Sequence, residues 1–195
     1  MNAAEMMKRL GEASPRFKAR IAGVFYLLAI LIGVFAVYIV GGRLGFVAEL
    51  IACLFYIAAT LLLYDIFRPV NRSLSLLAAF FGLVVSIVGA LEWHPQGFDI
   101  GLISLGFHCL VISYLIFRST FLPRILSALM ALAGLAWLTF QSPRLQDYLS
   151  PYNLAAGILG QGSLTVWLLV IGVNAQRWKE QASARRDGDH SPPIT

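Results

Sequence analysis

Six long apolar runs, separated by short gaps that hold most of the charges, constrain this chain more than any other feature of its sequence. They cover roughly residues 21–40, 44–67, 74–91, 100–117, 122–140 and 153–173. A helix of about 20 residues crosses the hydrocarbon core of a bilayer, and the third and fourth runs, at about 18, are near the lower limit. The sequence therefore predicts an all-α fold, a polytopic transmembrane bundle of six helices.

Composition agrees with a membrane protein rather than with a soluble domain. Hydrophobic residues make up 58% of the chain and charged residues 13%, where a soluble domain carries roughly 25% charged residues. The runs are apolar all round, without the amphipathic period of a surface helix. The first run is too long for a signal peptide and ends without a small-residue cleavage site, so it is predicted to be an uncleaved span.

The basic residues predict the orientation of the spans. Thirteen Arg and Lys residues lie before span one, between spans two and three, between spans four and five, and after span six. Only Arg43 and Arg144 lie on the other side. Since basic loops stay in the cytoplasm, both termini are predicted to be cytoplasmic. Residues 1–19 then form a cytoplasmic N-terminal segment, 20–174 the transmembrane domain, and 175–195 a polar tail expected to be disordered.

The positions of the basic, histidine and cysteine residues indicate which partners and cofactors to expect. A net charge of +5 invites a nucleic-acid interpretation, but the basic residues flank apolar runs and form no binding face. We expect the lipid bilayer as partner and no nucleic acid, with association with other membrane proteins or a second copy left open. Cys53 and Cys109 are expected to be buried small side chains. We expect no cofactor, since His108 is the only well-placed haem ligand, and no metal site in the loop around His94.

Three polar residues inside the predicted spans need a reason, because ionisable groups in hydrocarbon are costly. Glu49 begins a mildly polar stripe on span two, His108 lies near the middle of span four with Ser104 one turn above it, and Gln161 lies near the middle of span six. The stripes are Glu49, Cys53, Tyr56, Thr60, Tyr64 on span two and Asn153, Gly157, Gln161, Thr165 on span six. Span three carries small residues at every fourth position, Ala78, Gly82, Ser86 and Ala90, as close helix packing requires.

Spans two, four and six run in the same direction, so their polar residues could meet in the outer half of the membrane. The candidate polar pocket consists of Glu49, His108, Gln161, Thr60, Ser104 and Asn153. Such a pocket would bind or pass a small solute or proton, or help to organise a membrane complex.

One alternative is a membrane enzyme in which Glu49 and His108 form an acid–base pair acting on a lipid-borne substrate. Another is a structural bundle in which these residues only hold helices together. The sequence favours a non-enzymatic protein and assigns no catalytic residue.

Several segments of the chain resemble a known family. They are Arg20 to Leu28, Leu44 to Glu49, Leu61 to Tyr64, Phe67 to Ser73, Gly106 to His108, Tyr114 to Ser119, Leu122 to Leu126 and Trp167 to Asn174. These segments are similar to the DUF4386 proteins of bacteria. The resemblance implies a six-helix inner-membrane protein of unknown function, with family positions matched by Glu49 and His108. Two departures are a first loop shortened to Gly41–Arg43 and Gln161 where the family often carries a glutamate.

Overall fold

A computed structural model describes residues 14–36, 39, 42–91 and 99–190, with side chains up to residue 185. Predictions about residues 1–13, the loop 92–98 with His94, and 191–195 fall outside this part of the chain. The described part is helical, without a strand. Its helices are α1 Pro15–Phe35, α2 Gly42–Phe67, α3 Arg72–Ala90, α4 Ile100–Arg118, α5 Arg124–Thr139, α6 Pro143–Leu149, α7 Tyr152–Val170 and α8 Ala175–His190. The predicted all-α class is confirmed.

Helices α1 to α5 and α7 correspond to the six apolar runs. Five of them are long and apolar enough to cross a membrane, while α5 has 16 residues and falls short of that length. Helix α1 begins at Pro15, earlier than the predicted span, because Ser14 caps it: the Phe17 amide donates to Ser14 Oγ at 3.3 Å, and Pro15 occupies the first turn, where no N–H is needed. Residues 15–19, predicted to lie in the N-terminal segment, are therefore part of this helix.

Helices α1 to α5 and α7 form a closed ring. Each packs against its neighbours in the order α1, α2, α3, α4, α5, α7, and α7 closes the ring by packing on α1. Helices α2, α4 and α7, which correspond to spans two, four and six, therefore alternate around the ring instead of lying side by side. Their polar side chains can meet only by pointing into its interior.

The outside of the ring is apolar. Each of the six ring helices exposes more than half of at least one large apolar side chain: Leu31, Leu54, Phe80, Phe117, Leu135 and Val166. Buried residues such as Leu63, Ile112, Met130 and Leu168 fill the inside. A contiguous apolar exterior of this extent suits contact with lipid rather than with water.

Small residues bring α4 and α5 into close contact. A Cβ on Gly106 would lie 3.1 Å from the Gly134 carbonyl oxygen, and one on Gly134 would lie 2.9 Å from that of Gly106. Further along, Ser113 Oγ donates to the Ser127 carbonyl at 2.8 Å and Ser127 Oγ donates to the Ser113 carbonyl at 2.9 Å. Small-residue contacts and reciprocal hydroxyl bonds are common devices for joining helices within a membrane.

Helix α8 corrects the prediction of a disordered tail over residues 175–190. Trp178 Nε1 donates to the Ile66 carbonyl at 2.8 Å, and Arg185 Nη1 donates to the Arg68 carbonyl at 3.2 Å. Gln181 accepts from the Thr120 amide at 3.1 Å and donates to the Arg118 carbonyl at 3.3 Å. These bonds hold a polar helix across the ends of α2 and α4, which a search for apolar periodicity cannot detect.

The start of α1 closes the same end of the bundle. Arg16 Nε donates to the Ile171 carbonyl at 3.2 Å and Arg20 Nη2 to the Val170 carbonyl at 3.0 Å, at the end of α7. We call this end of the molecule the basic face, defined by Arg16, Arg20, Arg177, Trp178, Gln181 and Arg185. Cationic side chains at helix C-termini both satisfy the last carbonyls and complement the helix dipole.

Candidate functional site

His108 lies at the centre of the bundle and is 1% exposed. Its Nδ1 is 2.8 Å from the Ala78 carbonyl oxygen on α3. A carbonyl oxygen can only accept, so Nδ1 must be the donor and carries a proton. The other ring nitrogen, Nε2, is buried and has no hydrogen-bond partner among the described residues.

Gly82 makes room for this histidine and for Thr60 on α2. A Cβ at Gly82 would lie 2.8 Å from Thr60 Oγ1 and 3.2 Å from His108 Nδ1. The two atoms are therefore no more than about 6 Å apart. Thr60 is 2% exposed, and its hydroxyl has no partner within the described part of the chain. The small-residue stripe predicted on α3 thus supplies the carbonyl and the space that position His108.

Two tyrosines continue the group towards α1. The ring of Tyr56 on α2 lies 5.9 Å from the His108 ring and 5.5 Å from the ring of Tyr26 on α1, measured between centroids. Both tyrosine hydroxyls are buried. Although the Tyr26 hydroxyl lies beside the Tyr56 hydroxyl and Gln161, neither tyrosine hydroxyl makes a hydrogen bond of acceptable geometry within the residues that the structure describes.

Gln161 and Cys109 close the group on the side of α7. Gln161 Nε2 donates to Cys109 Sγ at 3.5 Å, which is a weak contact because sulfur is a poor acceptor. Cys109 follows His108 on α4 and is fully buried. We call Tyr26, Tyr56, Thr60, His108, Cys109 and Gln161 the interior cluster. It draws side chains from α1, α2, α4 and α7, and none of the six residue types carries a permanent charge.

Glu49 lies apart from the interior cluster. Its half-buried carboxylate packs near Gly33 of α1 and Gly89 of α3, with Oε1 at 3.6 Å from the position of a Gly89 Cβ. Gly89 is seven residues from Gly82, which at 1.5 Å per residue places Glu49 about 10 Å from the level of His108. Within the described residues no hydrogen bond or ion pair joins Glu49 to His108.

The other two residues of the predicted pocket have different surroundings. Ser104 is 5% exposed and lies one turn before His108 on α4. Asn153 is bound elsewhere: its Nδ2 donates to Thr139 Oγ1 at 3.3 Å, at the end of α5. It is eight residues, or about 12 Å of helix, from Gln161. The structure therefore brings together Thr60, His108 and Gln161, but places Glu49 and Asn153 outside this group.

Three members of the cluster were absent from the predicted pocket: Tyr56 was placed only on the polar stripe of span two, Cys109 was expected to be a buried small side chain, and Tyr26 was missed altogether. The predicted first span began at residue 21, which placed Tyr26 close to the interface where tyrosine is common. Because α1 begins at Pro15, Tyr26 instead lies at the middle of the helix. A tyrosine half-way along a span has its polar hydroxyl far from water. The Ser14–Pro15 pair is a helix start signal, and it would have shown that Tyr26 lies near the middle of the helix.

A ring of apolar helices with an apolar exterior and a small polar interior defines a helical multi-pass membrane protein. The chain belongs to the family described as "Domain of unknown function (DUF4386)", which matches residues 41–93 and 86–172. This match confirms the resemblance found in the sequence. An uncharacterized protein of Archaeoglobus fulgidus is 23% identical over 118 residues, which cover 56% of this chain and 72% of that protein. No solved structure matches the chain.

Proposed function

We propose that this protein crosses the cytoplasmic membrane of a bacterium six times, with both termini in the cytoplasm, and binds a small polar solute in the interior cluster. Two features support the topology. Helix α5 completes the ring between α4 and α7, although it is short. The start of α1 and the end of α7 meet on the basic face, as an even number of crossings requires, and the positive-inside rule puts that face in the cytoplasm.

Solute binding is supported by one observation: of the six buried side-chain polar atoms that have no partner within the described residues, four belong to the interior cluster, and the other two are Glu49 Oε2 and Trp137 Nε1. The four in the cluster are Tyr26 Oη, Tyr56 Oη, Thr60 Oγ1 and His108 Nε2. Leaving a buried donor or acceptor unpaired costs about 1–3 kcal/mol. Four such costs, contributed by three helices around one interior, are offset if a ligand completes the hydrogen bonds.

The enzyme alternative has less support. An acid–base pair needs its two groups within hydrogen-bond reach of the same reacting atoms. Glu49 lies about 10 Å from the level of His108 along the bundle, and no contact within the described part of the chain connects them. The purely structural alternative remains the competing outcome of the binding experiment.

Binding is tested by thermal unfolding of the purified protein with a panel of small neutral, cationic and anionic solutes. A solute at concentration c that binds only the folded state stabilises it by RT ln(1 + c/Kd), so Tm rises with the logarithm of the solute concentration once that exceeds Kd. We expect such a rise for the wild-type chain and for Gly89→Ala, whose new methyl would make only ordinary contacts at 3.5 Å. Gly82→Ala should abolish it, because its methyl displaces Thr60 and His108. If no solute stabilises the wild-type chain, the structural alternative replaces this proposal.

Orientation is tested separately by labelling single cysteines in a chain that lacks Cys53 and Cys109. Asp147→Cys lies on exposed α6 at the face opposite to the basic face, and Ser183→Cys lies on α8. A membrane-impermeant maleimide added to intact cells should label the first variant, and should reach the second only after the membrane is opened. The reverse pattern would place both termini outside.

A further inference from the structure

The free hydrogen-bonding atoms of the interior cluster have a defined chemistry. Tyr26, Tyr56 and Thr60 each offer a hydroxyl that can donate one hydrogen bond and accept others. His108 differs, because its Nδ1 proton is committed to the Ala78 carbonyl. In the neutral ring, Nε2 then has a lone pair and no proton. The cluster thus presents hydroxyl donors together with one atom that only accepts.

The absence of charged groups in the interior cluster limits which ligands could bind to these atoms. None of the cluster residues offers a carboxylate, an ammonium or a guanidinium group. A buried ion without an opposite charge pays a large desolvation cost. A metal ion is also disfavoured, since Zn²⁺ takes three or four protein ligands and no group of three His, Cys, Asp or Glu side chains gathers within the described residues.

We propose, on the basis of the solute site proposed above, that the ligand is a neutral hydroxylated molecule that donates its O–H to His108 Nε2. Its oxygen accepts from the hydroxyl of Tyr56 or Tyr26, whose rings pack in sequence from the His108 ring towards α1. A small polyol and water share this chemistry, because each combines a donor and an acceptor on one oxygen. Cations lack the acceptor, and carboxylates and phosphates bring a charge that the cluster does not balance.

Nitrogen NMR of the imidazole tests this directly. The full chain, with ring-¹⁵N histidine and with His94→Gln and His190→Gln so that only His108 reports, is placed in lipid nanodiscs. We expect a neutral ring protonated at Nδ1, with an unprotonated Nε2. Glycerol should shift the Nε2 resonance saturably, as an accepted hydrogen bond does, whereas ammonium chloride and sodium phosphate should not. Tyr56→Phe should raise the Kd for glycerol about fivefold, because one neutral hydrogen bond to the ligand is lost.

The outcomes separate this inference from the solute-binding proposal. A proton on Nε2 in the free protein, or a shift caused only by a charged probe, overturns the inference even if solutes raise Tm. If Nε2 already accepts a hydrogen bond, shows a deuterium isotope shift in D₂O and ignores glycerol, the occupant is water. That result supports the neutral hydroxylated ligand but removes the proposed solute function. A saturable response to glycerol supports both.

Discussion

The basic face and the interior cluster differ in whether their polar groups have hydrogen-bond partners. At the basic face, carbonyls left over at the ends of α2, α4 and α7 accept hydrogen bonds from Trp178, Arg185, Gln181, Arg16 and Arg20. In the interior cluster, four buried polar atoms have no partner among the described residues. Both regions involve α2, α4 and α7, so the difference lies in the side chains and not in the backbone.

This contrast separates groups that hold the fold together from groups that are available to a ligand. A polar group with a good partner contributes about 0.5–1.5 kcal/mol to stability, whereas a buried unpaired group reduces it. Mutations at the basic face should therefore destabilise the protein without affecting a ligand. Mutations of hydroxyls in the interior cluster should affect a ligand with little loss of stability.

The largest expected effect is the removal of α8. A chain ending at Asn174 loses the bonds from Trp178, Gln181 and Arg185 to α2 and α4. Counting about 1 kcal/mol for each of these three bonds, we expect the free energy of unfolding in a detergent titration to fall by about 3 kcal/mol. A chain ending at His190 keeps α8 and serves as the control. Equal stability of the two truncated chains would show that α8 does not fasten the helix ends.

The second effect concerns packing at the interior cluster. Gly82→Ala places a methyl 2.7 Å from Thr60 Cγ2, so Thr60 and His108 must move. Overpacking of this kind costs typically 1–3 kcal/mol, and we expect about 2 kcal/mol by the same titration. Gly89→Ala, two turns away on the same helix, meets only ordinary contacts and should cost less than half as much. Equal losses of unfolding free energy in the two variants would mean that Thr60 and His108 can move at little cost, which would contradict the close packing described above.

The fold could be predicted from the sequence largely because its apolar runs are apolar on all sides. All six became helices, with ends within three residues of those predicted except in α1, where Ser14 and Pro15 begin the helix six residues early and it ends at Phe35, five residues before the predicted end. Helix α8 could not be predicted in this way. Its bonds run to backbone carbonyls of Ile66 and Arg118, which leave no pattern in the sequence of either partner.

Three residues of the interior cluster could be chosen from the sequence, for a different physical reason. Thr60, His108 and Gln161 were chosen because polar groups within apolar runs need an explanation, and they do point into one interior. Their exact partners depend on how helices are arranged around the ring, which the sequence does not specify. Glu49 illustrates the limit: it shares a stripe with Thr60, but the 11 residues between them cover about 16 Å of helix.

The third prediction removes one bond at the basic face without removing α8. Trp178→Phe keeps an aromatic ring but leaves the Ile66 carbonyl without its 2.8 Å indole donor. We expect a loss of about 1 kcal/mol of unfolding free energy, the usual value of one such bond. Trp167→Phe is the matched control, since its indole makes no side-chain hydrogen bond in the part of the chain described. If both variants lose the same amount, the bond to Ile66 has no net value and ring packing accounts for the effect.

The smallest change in unfolding free energy is expected when hydroxyls of the interior cluster are removed. The sign of this change tests whether the interior cluster differs from the basic face. Thr60→Val and Tyr56→Phe remove hydroxyls without partners among the described residues and keep the shape of the side chain. Replacing such groups by apolar isosteres is nearly neutral or stabilising, so the unfolding free energy without added solute should fall by less than about 0.5 kcal/mol, or rise. Ser127→Ala is the contrast, because its buried hydroxyl donates to the Ser113 carbonyl at 2.9 Å and its loss should cost about 1 kcal/mol. A loss at Thr60 as large as that at Ser127 would mean that the interior hydroxyls already have partners, and the distinction between the two regions would disappear.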